Sequence, residues 1–184
     1  MEVRLLGPLE IADGGRPIPC RGPRQGALLV LLVLHANQVV PSERLLVELW
    51  GADAPPTAAN ALQAAVSRLR GTLPPGRLVT RAPGYLLRVA VDELDTSQFE
   101  RLLAGGRQAL ERGAVAEAAR SLRLALSLWR GPALADFRYE PFAQAEIARL
   151  EELRLACLEE RVEADLALGA GSQLVGELRQ LVIS

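Results

Sequence analysis

The chain has 184 residues, 21 basic and 22 acidic, giving a formal net charge of −1. Every basic residue is an arginine, which excludes a lysine-type phosphate loop, a Schiff-base lysine and a lysine general base. One histidine (His35, in an apolar helix) and two cysteines far apart (Cys20, Cys157) offer neither a zinc site of ordinary spacing, nor a disulfide framework, nor a credible nucleophile–base pair, so neither an enzyme nor a bound cofactor is expected.

The first twenty residues predict short strands at Val3–Leu6, Leu9–Ile11 and Arg16–Cys20. Asp13-Gly14-Gly15 turns between the last two, and Pro17 and Pro19 keep the returning strand at an edge. Pro23 opens a helix whose run Ala27–Leu34 has no polar face, so it must be surrounded on nearly all sides. Val39-Val40 suggests a brief strand. Ser42 is then expected to cap a helix with a buried stripe of Leu45, Leu46 and Leu49, closed by Trp50 and ended by Gly51. After the stiff loop through Pro55-Pro56, Thr57 is expected to cap a helix running to about Leu73. Its core stripe is Leu62, Ala65, Val66 and Leu69. Two strands follow, Leu78–Arg81 and Tyr85–Val89, turned by Ala82-Pro83-Gly84.

Residues 90–94 look like a linker, and the rest reads as helix. Asp95 or Thr96 caps a helix over Phe99, Leu102, Leu103 and Leu110. Gly113 separates it from Val115–Trp129, and Gly131-Pro132 breaks the chain. A long helix over Pro141–Leu168 carries Ile147, Leu150, Leu153 and Cys157 along one side, and a last helix covers Ser172 to the end. Leu110, Gly113, Leu122, Arg123 and Leu126 recur 56 positions later as Leu166, Gly169, Leu178, Arg179 and Val182, an echo of tetratricopeptide type. The fold class expected is therefore α+β: an N-terminal winged helix-turn-helix with a leading antiparallel sheet over 1–90, followed by an all-α tetratricopeptide-like domain over 95–184.

Charge divides unevenly between these halves. Residues 1–90 hold ten Arg and six acids, net +4; residues 91–184 hold eleven Arg and sixteen acids, net −5. A basic half suits a polyanion and an acidic half suits protein. The start lacks a signal-peptide pattern, and the longest apolar run, eight residues, falls well short of the ~20 needed to span a bilayer. Unpaired thiols fit a reducing cytoplasm.

In that frame the polar face of the helix before the hairpin carries the chemistry. Arg68 matches the two acceptors of guanine; Asn60 and Gln63 suit adenine or a phosphate; Ser67 shares the face. Arg70 lies towards the flank and suits a phosphate. Arg81, near the hairpin tip, suits a minor groove or a phosphate, and the free amides at Ser42 suit another. Arg24, with Arg21, is a weaker candidate, for a phosphate or for cover over the sheet edge. The competing view is an ordinary solvated helix face; the order of elements and the basic half weigh against it. His35 reads as a satisfied helix-end residue, Cys157 as a small core residue, and Trp50 and Trp129 as packing anchors.

Five segments carry a family resemblance. RGPRQGALLVLLVLHANQVVPSERLLVELWG (Arg21–Gly51), NALQAAVSRLR (Asn60–Arg70), LVTRAPGYLL (Leu78–Leu87), LALSLWRGPALADF (Leu124–Phe137) and RLEELRLACLEERVEADLALG (Arg149–Gly169) resemble the antibiotic-regulatory transcriptional activators of actinobacteria. These pair an OmpR-type winged helix with a bacterial transcriptional activation domain. The resemblance implies sequence-specific binding of double-stranded DNA at direct repeats, with a homodimer on DNA giving one protomer per half-site. It also implies recruitment of RNA polymerase at biosynthetic gene clusters, and a cytoplasmic, nucleoid-associated protein with no membrane partner. It makes Thr57–Leu73 the recognition helix, Arg68 a base reader, Arg81 a wing residue and Gly51–Pro56 a loop that can touch polymerase. Family activation domains continue past the segment matching Leu174–Leu181, so a C-terminally shortened helical domain is expected. A second reading is a protein-interaction module that pairs with a full-length relative and modulates it.

Overall fold

A computed structural model of the chain describes residues 1–20, 22–51 and 54–169. Arg21, the middle of the loop Gly51–Pro56, the final helix from Ser172 and the second half of the internal echo beyond Gly169 lie outside the described residues.

Strands β1 (Glu2–Arg4), β2 (Glu10–Asp13) and β3 (Arg16–Pro17) form an antiparallel sheet in the order β1-β2-β3. The first strand is shorter than expected because Leu5 and Leu6 turn their amides away from it: both donate to the carboxylate of Asp95, at 2.8 and 3.0 Å. At the edge, Ile18 N donates to Ile11 O, and Pro19 then ends the pairing.

Helix α1 (Pro23–Leu34) is encased as its sequence requires, with Leu28, Leu29, Val30 and Leu32 at 0% exposure. His35 ends it with Nδ1 3.0 Å from Leu31 O. Strand β4 (Val39–Pro41) leads into α2 (Ser42–Trp50), and α3 (Ala58–Thr72) follows. The hairpin β5 (Leu78–Arg81) and β6 (Gly84–Leu87) completes a second sheet in the order β4-β6-β5. All four residues expected in the α3 core stripe are buried. They meet α1, Leu45 of α2, Leu78 and Leu87 in one core. In α2 only Leu45 is fully buried; Leu46 and Leu49 pack at its margin.

Three expected caps are corrected. Ser42 is the first helical residue, Pro41 occupies the cap position, and no side chain caps α2. The cause is β4: its pairing with β6 runs on into the helix start, so the Ser42 amide donates to Pro83 O at 3.1 Å and is not free. Thr57 sits at the cap of α3 but in helical geometry (φ −83°, ψ −4°), not the extended geometry a capping hydroxyl needs. Asp95 begins α4 (Asp95–Glu111), its carboxylate taken by the Leu5 and Leu6 amides.

The segment read as a linker is pinned. Val91–Glu93 is a 3-10 turn, and Leu94 bridges in parallel to Val3. Glu93 accepts both guanidinium branches of Arg77, the Ala90 amide and the N-terminal ammonium. Burial pushes its carboxyl up, yet these partners prevail and hold it at about 2. Just before the turn, the Asn37 side chain donates to Val89 O at 2.7 Å and accepts from Val89 N at 3.2 Å, which is why Val89 leaves the hairpin pairing.

Helices α4 and α5 (Val115–Ser127) form an antiparallel pair about Gly113 (φ +73°), and α6 (Pro141–Ala167) packs on α5. Gly106 lets α4 and α5 close: a Cβ there would lie 2.7 Å from the Leu122 side chain. Trp129 stands edge-on to Phe99 (centroids 5.4 Å apart), beneath the Arg154 guanidinium. Cys157 is fully buried, which pushes its thiol up to about 11, fitting a core role. Leu5 and Leu6 point into different cores, Leu5 with α1 and Leu6 with Phe99, Leu122 and Leu150. The helical half answers: Arg130 N donates to Leu6 O and Leu134 N to Leu5 O, both at 2.8 Å, while Leu134, Phe137 and Ala143 enter the first core. The front sheet thus belongs to both halves. No helix among the described residues is long and apolar enough to cross a membrane.

Candidate nucleic-acid interface

The buried stripe of α3 fixes what its other face presents. At about 100° per residue, Asn60, Gln63, Ser67 and Arg68 fall within an arc of about 140°, opposite Leu62, Ala65, Val66 and Leu69. All four are exposed. Ala64 and Gly71 lie between them, and nothing stands within 4 Å of where a Gly71 Cβ would be, so the helix backbone can be approached closely there. The face offers two amides, a hydroxyl and one guanidinium, donor and acceptor types that match base edges in a major groove. The Arg68 side chain makes no hydrogen bond or ion pair among the described residues, leaving its five donors for a ligand.

The far end of α3 is anchored. Thr72 Oγ1 lies 2.9 Å from Leu69 O and accepts from Gln25 Nε2 at 3.2 Å. Gln25 is a buried polar residue of α1, so this tie joins the exposed helix to the encased one. Sequence reading missed it, because Gln25 stands beside an apolar run and its partner is 47 positions away.

The wing holds Arg81 exposed beside the turn, paired across the hairpin with Gly84. Like that of Arg68, the Arg81 guanidinium has no partner among the described residues. Arg70 is different. Its Nε donates to Leu78 O at 3.1 Å and its Nη2 to Thr80 Oγ1 at 2.9 Å, both on β5.

The remaining candidates sit elsewhere. Ser42 adjoins the hairpin turn through its amide, so its expected free amide is in use. Arg24 is exposed and lies over the Trp50 ring, 4.8 Å from the centroid. It therefore covers the end of α2 and not the sheet edge. The structure brings together Asn60, Gln63, Ser67 and Arg68 on one face, with Arg70 bridging from it to the wing; it places Arg24 apart, at the α1–α2 corner.

Comparison with known proteins fits this architecture. The family model described as "Transcriptional regulatory protein, C terminal" matches residues 17–87, and "Bacterial transcriptional activator domain" matches residues 94–184. The regulatory protein DnrI of Streptomyces peucetius is 39% identical over 98% of this chain, which spans 71% of that protein. The regulatory protein AfsR of Streptomyces coelicolor is 36% identical over 96% of this chain, which spans 18% of it. The solved structure of Mycobacterium tuberculosis EmbR, in complex with a low-affinity phosphopeptide, superposes with a TM-score of 0.91 at 32% identity. It covers 99% of this chain and 50% of its own. With both domain models matched in order and a relative of this similarity covered over more than two thirds, the chain belongs to the actinobacterial antibiotic-regulatory family of transcriptional regulators, a winged helix of OmpR type followed by activator-domain helices.

Proposed function

We propose that the chain reads DNA sequence with the exposed face of α3, as a transcriptional activator of biosynthetic gene-cluster promoters. The observation that carries this reading is the face itself: Asn60, Gln63, Ser67 and Arg68 exposed together, beside a wing that exposes Arg81, with neither guanidinium partnered among the described residues. A helix in the major groove with a wing on the flanking backbone uses such groups in two ways. Arg68 takes a base edge, and Asn60 and Gln63 take adenine or a phosphate. Arg81 takes a phosphate, as do the Arg24 guanidinium and, its amide being in use, the Ser42 hydroxyl at the margins. In this proposal residues 1–90 form the reading unit and residues 95–184 the activating one. The family relationship supports direct-repeat operators with one protomer per half-site, and recruitment of RNA polymerase.

The two arginines separate the two kinds of contact. Arg68→Ala should cost roughly 1–3 kcal/mol on the preferred site and relax one base position. Arg81→Ala should weaken all sequences alike and reduce the salt slope of binding by about one. Binding isotherms at several salt concentrations, on the preferred site and on single-base variants, read both effects. If Arg68→Ala lowers every sequence equally and also flattens the salt slope, Arg68 is a phosphate contact and the base-reading assignment is wrong.

A further inference from the structure

We infer that Arg70 is a positioning residue, a strut that fixes the wing against the reading helix, and not a phosphate contact. Both of its hydrogen bonds end on one strand: Nε on the Leu78 carbonyl at 3.1 Å, Nη2 on the Thr80 hydroxyl at 2.9 Å. A planar fork that holds two acceptors on the same strand fixes direction as well as distance, which a single donor cannot do. The other cations of this surface behave differently, since the Arg68 and Arg81 guanidinium groups have no protein partner among the described residues.

The position along the chain fits a strut. Arg70 lies at the last turn of α3, whose end is also held from behind by the Gln25–Thr72 bond. The wing is held from its other side, where β6 pairs with β4 and Pro83 O accepts the Ser42 amide. Among the described residues β5 is the outer strand of this sheet and pairs only with β6, so its free edge depends on Arg70 for a direct hydrogen-bonded tie from α3. Arg81 ends β5, one residue beyond Thr80. Fixing Thr80 therefore fixes where Arg81 is presented relative to Arg68. What this does at DNA rests on the reading proposed above; the strut itself is a property of the free protein.

The test uses the full chain with Arg70→Lys, Arg70→Gln and Thr80→Val. Lysine keeps the charge but, as a point donor, cannot hold both acceptors. In the free protein, amide hydrogen exchange in β5 and β6 should rise about five- to tenfold in both Arg70 variants, with α1 unchanged. Affinity for the preferred DNA should fall about tenfold in Arg70→Lys and Arg70→Gln alike, and the salt slope should remain the same in both. Thr80→Val should reproduce part of the loss and add little in the Arg70→Lys background, as coupled partners do. Unchanged exchange in β5 and β6 would overturn the inference. So would an Arg70→Lys variant that binds like the parent while Arg70→Gln loses about one unit of salt slope, the signature of a phosphate contact. Should the parent bind no DNA, the exchange measurement still decides the strut, and only the reading proposal fails.

Discussion

Asp95→Ala should destabilise the chain by about 3 kcal/mol and lower its melting temperature by roughly 6–12 °C. The Asp95 carboxylate is buried at 6% exposure and uses one oxygen for the Leu5 amide and the other for the Leu6 amide. Alanine leaves two buried donors without acceptors, each costing about 1–3 kcal/mol. The Arg130 guanidinium, 3.7 Å from the same carboxylate, loses that charge as well. Leu5 and Leu6 are the two residues that enter separate cores, so the loss falls where the halves join. Unfolding of the variant should therefore split into two transitions, with proteolysis gaining access near residues 90–94. Asp95→Asn should recover only part of the loss, because an amide side chain offers one acceptor oxygen and turns a donor towards the second N–H. Calorimetry on the three proteins checks this. A single transition within 1 kcal/mol of the parent would show that the halves are held together by packing alone.

Gly84→Ala should cost a similar amount, about 3 kcal/mol, in the hairpin of the winged helix. A Cβ at residue 84 would lie 1.8 Å from Val40 O and 2.8 Å from Pro41 Cα. Those are backbone atoms of the paired strand β4, with no flexible side chain to move aside. Relief requires opening the β4–β6 pairing, and with it the Ser42–Pro83 bond that seats the wing against α2. The wing should then be mobile in a chain whose α1 core is intact. Denaturant unfolding read by tryptophan fluorescence, together with amide exchange in β6, measures both. Unfolding unchanged within about 0.5 kcal/mol would mean that the strands shift apart freely, contrary to the register described here.

What the sequence made legible was what local periodicity encodes. The apolar run Ala27–Leu34 required an encased helix, and the spacing of Leu62, Ala65, Val66 and Leu69 identified both the buried and the exposed face of α3. The polar group on that face follows from geometry once the helix is granted. Illegible were the choices made by partners distant in the chain. Asp95 looked like a helix cap by local rules, but amides 89 and 90 positions away claimed it. Ser42 and Thr57 had the right residue types for caps. A strand pairing decided the first and a helical backbone geometry the second. Residues 90–94 read as a linker because nothing nearby shows that Arg77 and the front sheet hold them. Helical angle separates Arg68 on the face from Arg70 at its flank, but that β5 accepts from Arg70 and leaves the Arg68 guanidinium unpartnered among the described residues is invisible in the local sequence.

We propose above that the exposed face of α3 reads DNA sequence. Selection of bound DNA from a random pool by the purified chain, shown to be folded by circular dichroism, tests it most directly. An enriched motif that recurs in tandem is the expected result. A folded chain that enriches no sequence would contradict it.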